Sequence, residues 1–74
     1  MLLPNETLGK RIAHYRKERK LSQAKLAAIV GMEDNHLSCI EIGLKYPSIC
    51  TLARIAAGLG VTIDELVGDK GVDS

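Results

Sequence analysis

Apolar residues recur at helical spacing along most of the chain, interrupted by short polar or glycine breaks. Leu8, Ile12 and Tyr15, with Arg19 one turn on, predict a helix over residues 5–20, with Asn5 after Pro4 as its N-cap. Ser22 is the next cap, and Leu26, Ala27 and Val30 form one apolar face behind it. Gly31 stands where the chain must take a positive φ to leave that helix. A third helix is predicted over about residues 33–41, with Leu37 and Ile40 inward and Asn35 and Cys39 on the opposite side. Gly43 ends it. Leu44-Lys45-Tyr46-Pro47 is a loop, because proline disfavours helix at the residue before it. Ser48 caps a fourth helix with Ile49, Leu52, Ile55, Ala56 and Leu59 on one face, stopped by Gly60. Thr62-Ile63-Asp64-Glu65 is a capping box, flanked by Val61 and Leu66 as a hydrophobic staple. It predicts a short helix over 63–67, ended by Gly68 and followed by a frayed tail at 69–74. No alternating strand pattern, repeat or linker interrupts this order, so the expected class is all-α.

Length and composition narrow the reading. Seventy-four residues allow one domain with one small core. With no Trp or Phe and only two Tyr, that core must be aliphatic. A composition 46% hydrophobic and 26% charged suits a folded chain. The apolar runs are too short to span a membrane, and the N-terminus lacks the pattern of a signal peptide. A cytoplasmic location follows as the expectation, with Cys39 and Cys50 as reduced thiols, although one disulfide stays open.

Net charge is only +1, but six of the ten Lys and Arg fall between Lys10 and Lys20, with Glu18 the only acid among them. That basic third can face nucleic acid or form an ordinary solvated helix face. Metal and enzyme readings are weak. His36 and Cys39 lie one turn apart, but the other candidates, His14 and Cys50, are in other helices, and zinc needs more ligands than a pair. A catalytic cysteine would also need a pocket that so small a helical domain has little room to form. No cofactor, metal or small-molecule ligand is expected.

The stretch Ser22–Glu41, two short amphipathic segments about a glycine, can present one helix to a DNA major groove. Together with Leu8-Gly9, Arg11-Ile12, Arg16, Leu21-Ser22-Gln23, Leu26-Ala27, Gly31, Leu37-Ser38, Ile40-Glu41, Gly43, Pro47-Ser48, Leu52, Ile55-Ala56, Leu59-Gly60-Val61 and Asp64-Glu65-Leu66, it resembles the Cro/repressor-type (XRE) helix-turn-helix family. The resemblance covers about residues 6–67. It implies a five-helix, lambda-repressor-like DNA-binding domain at residues 1–68, with the helix-turn-helix at about 22–41. It also implies a sequence-specific, repressor-like transcriptional regulator that binds a near-palindromic site on double-stranded DNA as a homodimer.

Residue roles follow from the same resemblance. Asp34, Asn35, His36, Ser38 and Cys39 fall at base-reading positions. Asn35 is the leading reader, because a carboxamide can bond adenine with two contacts. Asp34 can accept from cytosine or instead stabilise the positive end of its helix. Gln23, Lys25, Lys45 and Tyr46 fall at or near phosphate-contacting positions, and Arg16 and Glu41 at a buried ion pair joining the first and third helices. Ile42, Leu44, Tyr46, Ile49 and Val67 are candidates for the dimer surface. The chain departs from the family pattern with Glu33 at the start of the reading helix, no Arg near Cys39, Lys25 where Glu is frequent, and apolar Ile42. The acidic start and low charge keep a second function open: an interaction module of the same fold with weak or no DNA binding.

Overall fold

Among the described residues the chain forms five helices, α1 (Asn5–Glu18), α2 (Gln23–Val30), α3 (Asp34–Glu41), α4 (Ile49–Leu59) and α5 (Ile63–Val67). They come from a computed structural model that describes residues 5–67. The expected cap at Asn5, stop at Gly68 and tail at 69–74 lie outside the described side chains and residues. Among the described residues there is no strand.

The apolar stripes converge on one core. Leu8 and Ile12 of α1, Leu26 of α2, Leu37 and Ile40 of α3, Ile55 of α4 and Leu66 of α5 are fully buried. Each side chain of this size removed from water contributes about 1.5–3 kcal/mol. α1 packs on α3, α4 and α5, and α2 packs on α3 and α4. The third helix is thus held from two sides while its outer face stays open.

Local chemistry sets most helix starts. Ser22 accepts from the Lys25 amide at 3.0 Å, and Ser48 accepts from the Thr51 amide at 3.2 Å. Thr62 and Glu65 form the reciprocal capping box: Thr62 N–H donates to Glu65 Oε1 at 2.8 Å and Glu65 N–H to Thr62 Oγ1 at 3.0 Å. Glu33 is different. It occupies the cap position of α3 and makes no capping hydrogen bond.

The first helix ends two residues earlier than its pattern predicts. Lys20 takes φ 58°, and the Leu21 and Lys20 amides donate back to the Arg16 and Lys17 carbonyls at 3.1 and 2.9 Å. This is a helix-terminating motif that usually carries glycine where Lys20 stands. A left-handed conformation costs a non-glycine residue about 1–2 kcal/mol. Lys20→Gly is therefore expected to raise stability by about 0.5–1 kcal/mol after glycine's extra unfolded-state entropy is subtracted. Urea unfolding checks it; a destabilised variant would contradict the assignment of strain.

Val67 corrects a second expectation. It is 6% exposed, because α5 folds back on α1 and α4 and buries its last apolar residues, so it is not part of an open apolar surface.

Candidate nucleic-acid interface

The site is built around the turn between α2 and α3. Gly31 ends α2 at φ 84°, ψ 39°, a left-handed geometry in which a Cβ is strained. The Gly31 and Met32 amides return to the Ala27 carbonyl at 2.8 and 2.9 Å. The chain thus reverses within three residues, Gly31 to Glu33, and α3 starts at a fixed angle to α2.

A buried polar cluster locks the far end of α3. Arg16 donates from Nε to Glu41 Oε2 at 2.7 Å and from Nη2 to Glu41 Oε1 at 3.0 Å. Its Nη1 donates to the Leu21 carbonyl at 2.8 Å. Gln23 Nε2 donates to Glu41 Oε1 at 2.9 Å. The side chains of Arg16 and Glu41 are 11% and 5% exposed, so this is a desolvated, two-pronged pair. It ties α1, the start of α2 and the end of α3 into one unit.

With its inner face fixed, α3 turns the other face outward. Asp34, Asn35 and His36 are exposed, while Ser38 and Cys39 are half-buried. The loop after α3 is held to the same helix: the Leu44 and Lys45 amides both donate to the Cys39 carbonyl, at 2.9 and 3.3 Å. Lys45 and Tyr46 are exposed on that loop, and Lys25 is exposed on α2. Asn35, His36, Cys39 and Lys45 meet around one open hollow of about 560 Å³. Gln23 is instead half-buried against Glu41.

Helix ends add to the local field. Neither α2 nor α4 has an acid in its first turn, so their positive ends are uncompensated, whereas α3 begins with Asp34. The basic first third does not act as one surface. Arg16 is used inside the protein, and Arg11 Nη1 donates to the Glu65 carbonyl at 3.3 Å, linking α1 to α5. Both cysteines are free thiols. Among the described residues, no three His, Cys, Asp or Glu come together as metal ligands.

Three residues of this hollow have no place in the sequence pattern: Met32, and Thr51 and Arg54 on α4. A signal existed, because Arg54 is the only charge in ICTLARIAAGL. The fold needed to bring α4 beside the start of α3 was not in the local pattern. The Arg11–Glu65 contact left no sequence signal, since its partners lie 54 residues apart.

A glycine turn, a locked inner face and an open polar outer face define a helix-turn-helix domain. The helix-turn-helix family model HTH_3 matches residues 12–66, and the chain belongs to that family. It is 39% identical over 64 residues to the immunity repressor protein of Bacillus phage phi105, covering 86% of this chain and 44% of that one. It is also 39% identical over 62 residues to the control protein C.MunI of Mycoplasma sp, covering 82% and 84%. The chain thus spans less than half of the phage repressor and most of the control protein. Among solved structures, the biofilm master regulator SinR in complex with DNA superimposes with a TM-score of 0.77 at 40% identity, covering 80% of this chain and 95% of that one. No described helix is long and apolar enough to cross a membrane.

Proposed function

We propose that this chain is a sequence-specific, repressor-like transcriptional regulator that inserts α3 into the major groove of double-stranded DNA. The observation that carries this is the exposed outer face of α3, held rigid by the Arg16–Glu41–Gln23 cluster behind it. The phage phi105 relative named as an immunity repressor and the DNA-bound SinR structure support it. Asn35, His36, Ser38 and Cys39 meet base edges, with Asn35 the principal reader. Asp34 either accepts from cytosine or stabilises the helix start. Gln23, Lys25, Lys45 and Tyr46 meet phosphates and set the register. The protein acts in the cytoplasm without a cofactor or small-molecule ligand.

The binding unit is a homodimer on a near-palindromic site, with half-sites about one helical turn apart. Ile42, Leu44 and Ile49 are 63%, 71% and 67% exposed, and Tyr46 lies beside them. Tyr46 and Ile49 also border a more apolar hollow beside Leu52 and Ile63, which a second copy would cover.

Selection of bound duplexes from a random pool tests both parts at once. An inverted repeat is expected; a single asymmetric half-site would sink the dimer. Asn35→Ala should then reduce discrimination at one base position by about 1–3 kcal/mol. Lys45→Ala should weaken all duplexes alike and lower the salt slope by about 0.9. Equal behaviour of both variants on every sequence would remove Asn35 as the reader.

The acidic Glu33-Asp34 start and the net charge of +1 favour the second reading, an interaction module that keeps the fold without strong DNA binding. Absence of binding to any duplex at low salt would select it.

A further inference from the structure

The four arginines of the chain are used unequally. Arg11 donates to the Glu65 carbonyl and Arg16 belongs to the Glu41 pair. Arg19 donates to the Tyr15 carbonyl and Glu18, and its guanidinium lies 5.4 Å from the Tyr15 ring centre. Arg54 is exposed, and among the described residues its guanidinium has no hydrogen bond or ion-pair partner. It is the single charge of α4 and lies on the wall of the hollow that Glu33, Asn35, His36 and Lys45 also line. Glu33 lines the same hollow, yet among the described residues no ion pair forms between them, and exposed pairs of this kind are weak.

We propose that Arg54 is a phosphate contact on the flank of the α3 footprint. This rests on the DNA-binding reading above. The acids Glu33 and Asp34 repel the backbone where α3 enters the groove. Arg54 and Lys45 line the same hollow as Glu33 and so set two cations near that acidic start. A guanidinium presents a planar fork of donors to phosphate, and one without a protein partner forfeits no internal contact by binding there. Arg54 thus offsets the charge that the reading helix itself lacks.

The test is a salt titration on the selected duplex and on a scrambled duplex, for the wild type, Arg54→Gln and Arg54→Lys. Arg54→Gln is expected to weaken both duplexes by about tenfold at low salt and to lower the slope of log affinity against log salt by about 0.9. Arg54→Lys should keep the wild-type slope, and neither variant should lower the melting temperature, because the side chain is exposed. Unchanged affinity and slope in Arg54→Gln, with wild-type binding intact, would overturn this proposal alone. So would a loss confined to the selected duplex, which marks a base contact, or a loss tracking a lowered melting temperature. A wild type that binds neither duplex at low salt overturns the DNA reading and this proposal with it.

Discussion

Glu41→Ala is expected to destabilise the domain by about 3–5 kcal/mol, the usual cost of breaking a buried ion pair from one side. Three donors converge on that carboxylate: Nε and Nη2 of Arg16, and Nε2 of Gln23. Without it, Arg16 keeps only the Leu21 carbonyl, at 2.8 Å. A guanidinium in so enclosed a place must then find water or stay uncompensated, and either outcome loosens the packing of α1 against α3. At about 0.05–0.15 kcal/mol per residue, a chain of 74 residues has a total stability of about 4–11 kcal/mol. The single change therefore removes a large share of it. The pair's net worth is much smaller, because its formation also costs desolvation. Replacing both partners by apolar residues, Arg16→Met with Glu41→Leu, should cost less than Glu41→Ala alone. Urea unfolding followed by circular dichroism measures both. A loss below about 1 kcal/mol for Glu41→Ala would mean that the cluster is solvated as an ordinary surface pair is.

Gly9→Ala should be nearly as damaging, by about 3 kcal/mol, and in the direction opposite to helix propensity. Alanine inside a helix is favoured over glycine by about 1 kcal/mol. Gly9, however, is where α1 crosses the end of α3. A Cβ there would stand 2.5 Å from the Ile40 carbonyl oxygen and closer still to that of Glu41. Both atoms belong to backbone, so neither can rotate away, and α1 must move off α3. Overpacking of a fitted contact costs about 1–3 kcal/mol, and a rigid neighbour puts this site at the top of that range. The clash outweighs the propensity gain. The expected thermal signature is a clear fall in melting temperature, and an unchanged or raised one would disprove the close crossing. DNA affinity should fall as well, since the same movement tilts α3.

These two sites show how far local pattern reaches. The starts of α2, α4 and α5 are legible because Ser22, Ser48 and the Thr62–Glu65 pair satisfy amides within three residues of themselves. The end of α1 is not. Arg16 to Lys20 are all good helix formers, and no glycine marks the stop. The break follows from Arg16, whose backbone carbonyl receives the Leu21 amide while its side chain reaches both Leu21 and Glu41. A partner 25 residues away takes part in fixing where the helix stops. The burial of Val67 escapes the local pattern for a related reason: a five-residue helix carries too little pattern to say which neighbour covers it.

The candidate interface divides in the same way. Periodicity alone set Leu37 and Ile40 inward and Asn35 and Cys39 outward, because side-chain direction in a helix is fixed by 100° per residue. Spacing likewise determined an all-α domain of five helices with an aliphatic core. The tertiary structure decided which charges remain available at the surface. It drew Arg16 and Arg11 into internal contacts, bonded Gln23 to Glu41, and carried Arg54 from α4 to the hollow beside Asn35 and His36. Those outcomes depend on contacts between residues distant in the chain, and no local period encodes which distant surfaces will meet.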